Sequence, residues 1–214
     1  MRVVLIRHGK TQGNLERRYV GSTDEPLCVE GRQEALQIGQ ASNIGRVYVT
    51  SMLRTQQTAS LLFPRAEQVI VPGLEEMDFG AFEGRSADEM FDDVSYRRWV
   101  DGACKGLCPG GECQAGFCHR VCAAFEETIN GMRDDSDAVF VVHGGTIMAI
   151  MEKYAQTNMR EQSYHNWHVG NCGGFVCETS IDEGYLKFQK VAPFEMASLV
   201  RWKNEDSQQP IAKS

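Results

Sequence analysis

RVVLIRHG (residues 2–9) and AVFVVHGG (residues 138–145) share one pattern: a short apolar, β-branched run that stops on histidine and glycine. A run of this length bounded by glycine reads as a buried strand. A buried strand has no need of a titratable ending, so the two histidines ask for a different explanation. If both strands lie at the centre of a parallel sheet, both histidines emerge at its carboxyl edge, where such sheets bind ligands.

Between and beyond these strands the pattern alternates. A polar loop after Gly9 leads to a predicted helix over Val29–Asn43, a strand over Arg46–Thr50 and a helix over Leu53–Phe63, with Thr50 or Ser51 as its cap. Pro64 ends that helix, and a third strand follows at Gln68–Val71. Residues 74–111 are irregular, with a short helix expected at Ser86–Phe91. Glu112–Met132 has helical spacing, with Phe117, Val121, Ala124, Phe125 and Ile129 on one face. A helix over Thr146–Ala155 and an antiparallel pair, Gly173–Thr179 and Tyr185–Val191, complete the pattern. The prediction is an α/β three-layer sandwich: a central, mostly parallel sheet flanked by helices. We expect one domain over residues 1–202, a cap region at about 74–111 and a polar tail at 203–214.

The composition is that of a soluble globular protein, 42% apolar and 24% charged. No apolar run approaches the roughly 20 residues that span a bilayer, and Val3–Ile6 is too short for a signal-peptide core. The expected location is the cytoplasm, with no membrane partner. The net charge of −7 argues against nucleic acid. Residues 1–20 nevertheless carry Arg2, Arg7, Lys10, Arg17 and Arg18 against Glu16 alone, which points to an anionic ligand there. Of the eight cysteines, five fall between Cys104 and Cys122 at a spacing that does not match a structural zinc site, and no metal is expected. Without a signal peptide a disulfide framework is disfavoured. Cys118 and Cys122, four apart on a helix, read as small hydrophobes.

The chain resembles the histidine phosphatase superfamily, the group of phosphoglycerate mutases and related phosphatases. LIRHGKTQGN (5–14) is similar to the signature of that family. The likeness continues in order through YVGSTDEPL (19–27), SMLRTQQTA (51–59), LEEMDFGAFEG (74–84), PGGE (109–112) and VVHGGTI (141–147). It implies that His8 is a nucleophile forming a phosphohistidine, chemistry suited to a neutral imidazole. It implies further that Arg7, Arg54 and His143 surround the phosphoryl oxygens, with Asn14 and the Gly144 amide as neutral donors. His143 is expected to be protonated through the phosphate and a nearby carboxylate. Glu76 is the implied acid, protonating the departing alkoxide and then activating water; Asp78 and Glu83 are close alternatives. No cofactor is implied. His165 and His168 read as surface residues, and His119 has no evident partner.

Within the family, Lys10 stands where mutases carry glutamate and some phosphatases carry lysine. Only residues 85–108 separate the FG..EG block from PGGE, whereas cofactor-dependent mutases have a longer insertion there. A short cap implies water access, and hence a phosphatase acting on a small phosphorylated metabolite. The α-ribazole phosphatases are the members most alike, making α-ribazole 5'-phosphate the expected substrate. A 2,3-bisphosphoglycerate-dependent mutase and a weakly catalytic phospho-ligand binder are the alternatives, and a homodimer is left open.

Overall fold

The computed structural model describes residues 1–132, 137–155, 164–182 and 185–199. Six strands form one sheet: β1 (Arg2–Arg7), β2 (Arg46–Val49), β3 (Glu67–Ile70), β4 (Ala138–Val142), β5 (Gly174–Asp182) and β6 (Tyr185–Pro193). Their order is β3-β2-β4-β1-β5-β6, with β3, β2, β4 and β1 parallel and β5 antiparallel to both its neighbours. The helices are α1 (Gln12–Leu15), α2 (Val29–Ile38), α3 (Leu53–Leu62), α4 (Val94–Asp101), α5 (Gln114–Asn130) and α6 (Gly144–Tyr154), with 3-10 turns at Gly80–Phe82 and Tyr164–Trp167.

The alternation of β1 and β4 builds the layers. Val3, Leu5, Phe140 and Val142 share one core with Phe117, Val121 and Phe125 of α5 and Ile147 and Ile150 of α6. Val4, Ile6, Val139 and Val141 share the other with Ala35 of α2 and Ala59 and Leu62 of α3. The expected three-layer sandwich is therefore the observed one. Because both faces of β1 and β4 are fully buried, a one-residue slip would exchange two packed sets of side chains. At roughly 1.5–3 kcal/mol for each buried aliphatic side chain, that cost holds the register Leu5↔Phe140 and Arg7↔Val142.

Several boundaries differ from those read in the sequence. Helix α2 stops at Ile38, because Gly39 takes a φ of 102° and turns the chain out of the helix. The N-cap of α3 is Met52, with no side-chain cap bond, in place of Thr50 or Ser51. Strand β3 starts and ends one residue early, and α6 begins at Gly144. In the face of α5, Cys122 replaces Ala124 as a buried residue.

The cap differs most. Residues 86–91 form turns and no helix: Ser86 and Glu89 make the reciprocal bonds of a capping box (2.9 and 3.3 Å), but after Met90 N–H to the Ser86 carbonyl the chain keeps only three-residue turn bonds. The helix lies further on, in α4, where Asp93 caps the Ser95 and Tyr96 amides at 3.0 and 3.3 Å. Tyr96 and Trp99, one turn apart, pack on Phe82 and Tyr19. The predicted tail at 203–214, and the end of the domain at 202, lie outside the described residues. No described helix is long and apolar enough to cross a membrane.

All eight cysteines are free thiols. Cys122 is buried with Sγ 3.7 Å from the Ala149 carbonyl, and burial pushes the Cys118 and Cys122 thiols up to about 11. Both pack as hydrophobes.

Candidate active site

The parallel pairing of β1 with β4 delivers the two histidines together. The His8 amide donates to the Val142 carbonyl at 3.0 Å, extending the ladder past the strand end. The rings then meet edge to face, with centroids 5.3 Å apart. His8 is 4% exposed and His143 is fully buried. The chain leaves β1 for β2 on one side and leaves β4 for β5 on the other, so the pair sits at a topological switch point.

Partners that can only accept, or only donate, fix each tautomer. The His8 Nδ1–H donates to the Gly9 carbonyl at 2.7 Å, which leaves the ring's lone pair on Nε2. His143 accepts at Nδ1 from Arg54 Nε (3.3 Å), and its Nε2–H donates to Thr50 Oγ1 (3.0 Å). Burial, then Arg54 and Arg7, holds the His8 imidazole well below its usual value, so it is neutral at pH 7. In the protein alone, burial, Arg54, His8, Arg7 and Arg120 push the His143 pKa well down, so the expected protonation depends on the bound phosphate. A phosphate dianion bound beside it would act in the opposite direction.

Arg54 is wholly buried at the start of α3. Its Nη1 and Nη2 donate to the Thr23 and Gly21 carbonyls, each at 2.7 Å, so the guanidinium plane is fixed while two of its five N–H groups remain for a ligand. Arg7 donates from Nη1 to the Val169 carbonyl at 2.8 Å. Its Nε is buried without a partner. An unpaired buried donor is costly, and here it lies over the first turn of α6: a Cβ added at Gly144 would sit 3.4 Å from it. The Gly144 amide opens α6, where no intrahelical acceptor exists. Two guanidiniums and a helix N-terminus thus lie around the His8–His143 pair, an arrangement that suits an anionic phosphoryl group.

Glu76 closes the site from the opposite loop. Its Oε2 accepts from the Gly145 amide at 2.9 Å and its Oε1 from the Met77 amide at 3.0 Å. The two carboxylates that competed with it in the sequence are committed elsewhere. Glu83 takes up the amides of Gly21, Ser22, Thr23 and Phe79 at 2.9–3.3 Å. Asp78 accepts from the Gly80 amide and Ser22 Oγ at 2.8 and 3.3 Å.

A family profile for branch 1 of the histidine phosphatase superfamily matches residues 3–191. The chain belongs to that superfamily. It is 34% identical, over 67% of its own length and 70% of the relative's, to the probable phosphoglycerate mutase GpmB of Salmonella paratyphi C. It is similar in structure to the α-ribazole phosphatase of Shigella flexneri, with a TM-score of 0.74, 24% identity and coverage of 88% and 95% of the two chains. A phosphoglycerate mutase of Thermus thermophilus is similar too, at 25% identity and a TM-score of 0.64, covering 91% of this chain and all of that one. At 24% identity the Shigella likeness speaks for the fold alone.

Around this histidine phosphatase site lie supports that the sequence did not reveal. Arg120 of α5 forks onto Glu112 at 2.9 and 2.7 Å and reaches the carbonyls of Gly73, Glu75 and Glu76 at 3.0–3.4 Å. It thereby clamps the turn that carries Glu76. Thr58, one turn after Arg54, accepts the Gly9 amide at 2.8 Å and ties α3 to the loop after His8. At Gly21 a Cβ would lie 1.8 Å from the Met77 carbonyl, so only glycine admits the contact that brings the Gly21 carbonyl to Arg54. His165 and His168 are exposed, and so is His119 on α5.

Gly145 gives a test of the acid. A Cβ there would come within 2.3 Å of Glu76 Oε1 and 3.2 Å of the Tyr164 hydroxyl, both ends of movable side chains. Gly145→Ala should therefore fold but swing the carboxylate aside, lowering kcat on the order of 10–100-fold. Steady-state kinetics beside a thermal melt check this; unchanged kcat in a folded variant would remove Glu76 from the acid role.

Proposed function

We propose that this chain is a phosphomonoesterase in which His8 Nε2 attacks the phosphorus of a small phosphate ester and carries the phosphoryl group transiently. The observation behind the reading is the convergence of a neutral imidazole lone pair with the unpaired Arg7 Nε, the spare N–H groups of Arg54 and the Gly144 amide. Attack forms the Nε2–P bond as the ester P–O bond breaks, and the proton of the Glu76 carboxyl goes to the departing alkoxide. Water then gives that carboxylate a proton as its oxygen displaces Nε2, which releases phosphate. Positive charge at the equatorial oxygens comes from the chain itself, so the reading calls on no metal.

The short cap supports hydrolysis over phosphate return, and α-ribazole 5'-phosphate is the substrate we would assay first. A mutase is the second reading, favoured by the curated relative of that name. A panel of phosphate monoesters, with α-ribazole phosphate and phosphoglycerates included, decides between them. Inorganic phosphate released without loss to a chelator supports the phosphatase. Interconversion of 2- and 3-phosphoglycerate primed by bisphosphoglycerate supports the mutase, and saturable binding without turnover overturns both.

A further inference from the structure

The turn at residues 169–173 spends its hydrogen bonds on the nucleophile strand. The carbonyls of Val169 and Gly173 accept from Arg7 Nη1 and the Arg7 amide, each at 2.8 Å, and the Cys172 amide donates to the Arg7 carbonyl at 3.0 Å. Asn171 reaches furthest. Its Nδ2 donates to the His8 carbonyl at 3.0 Å and to Asn14 Oδ1 at 3.1 Å. Asn14 Oδ1 also accepts the Thr11 amide at 3.2 Å.

These partners leave the amides no freedom to flip. The His8 carbonyl can only accept, so it must face the Asn171 nitrogen. The Thr11 amide can only donate, so it must face the Asn14 oxygen. With one N–H of Asn171 on each acceptor, the chain of bonds has a single consistent direction. Asn14 Nδ2 is then the one atom of that side chain left to donate, and it has no partner among the described residues.

We infer that Asn171 is a positioning residue, which turns the Asn14 amide so that its nitrogen, and not its oxygen, faces the phosphoryl group. This rests on the reading of the cleft as a phosphoryl site. Without Asn171 only the Thr11 amide holds the Asn14 oxygen, so the side chain loses one of the two bonds that keep its nitrogen toward the anion.

The test is a double-mutant cycle on the full chain: Asn14→Ala, Asn171→Ala and both together. It reads kcat/KM with p-nitrophenyl phosphate, inorganic-phosphate affinity by calorimetry, and thermal melting. A lost hydrogen bond to a charged group is worth about tenfold, so each single variant should lose about that in both readouts. The double variant should be no worse than Asn14→Ala alone, whatever the melts show. Asn171→Ser, whose hydroxyl has one proton for two acceptors, should behave alike and serves if the alanine variant does not fold. Losses that multiply in the double variant overturn the inference, as do single variants within about twofold of the unaltered protein, a change too small for a lost hydrogen bond. A chain that binds phosphate in this Asn171-dependent way but releases none from esters keeps the inference and loses the phosphatase reading. A chain that does neither loses both.

Discussion

His8→Ala should abolish phosphomonoester turnover, by on the order of 10⁴-fold or more, in a chain that still folds. The size of the effect follows from the tautomer. With Nδ1–H committed to the Gly9 carbonyl, Nε2 is the sole nitrogen lone pair of that ring available to attack, and alanine removes it outright. The structural cost is smaller, because the loss leaves the Gly9 carbonyl without its partner, worth roughly 1–3 kcal/mol. The β1–β4 ladder is untouched, since it is made by backbone groups and by Val3–Ile6. Phosphate release and a thermal melt report the two quantities separately. Rapid-quench labelling of the unaltered protein should find phosphate on His8 that is labile to acid and stable to alkali. A folded His8→Ala chain that keeps more than about a tenth of the activity, a loss too slight for a missing nucleophile, would exclude covalent catalysis through this residue.

The parts of this site that could be read from the sequence are those whose chemistry breaks a local pattern. His8 and His143 end apolar runs, and Arg7 and Gly144 stand beside them. Their meeting required the strand order, which places β1 against β4, and no single stretch of chain encodes that order. Glu76 could not be separated from Asp78 and Glu83 by spacing. The separation comes from loop amides, since Glu83 is spent on the Gly21–Thr23 turn and Asp78 on Gly80 and Ser22. Asn171 left no trace because its partners lie 163 and 157 residues away, and a side-chain amide in a loop looks like any other.

The cap was misread for a different reason. Ser86 and Glu89 carry the reciprocal bonds that open a helix, yet that segment stops within a turn, while Tyr96 and Trp99 give the segment after Asp93 an aromatic face to bury. Tertiary packing decided between two similar local signals.

Arg54 carries the second large effect, and it should show in the pH profile as well as in the rate. This side chain binds the Gly21 and Thr23 carbonyls, touches His143 Nδ1 and keeps two N–H groups for the phosphoryl oxygens. Lysine has one compact ammonium and cannot span those positions, so Arg54→Lys should lower kcat/KM about 10³-fold, in the range of a lost transition-state donor. Arg54→Ala loses at least as much and leaves two carbonyls without partners, so it should also melt earlier. The charge has a separable consequence. After burial, Arg54 is the largest cause holding His8 and His143 below the usual value of 6.5. The reactive form of His8 is the neutral one, present above its pKa, so the acid limb of kcat/KM falls off as pH drops through that value. Removing the positive charge in Arg54→Ala raises the His8 pKa and moves the limb to higher pH. In Arg54→Lys a charge remains nearby, so the limb should move less although the rate falls as steeply. A rate loss in both variants with the acid limb fixed in both would mean that Arg54 acts on the phosphate alone. A shift toward lower pH would contradict the electrostatic account of how this nucleophile is kept neutral.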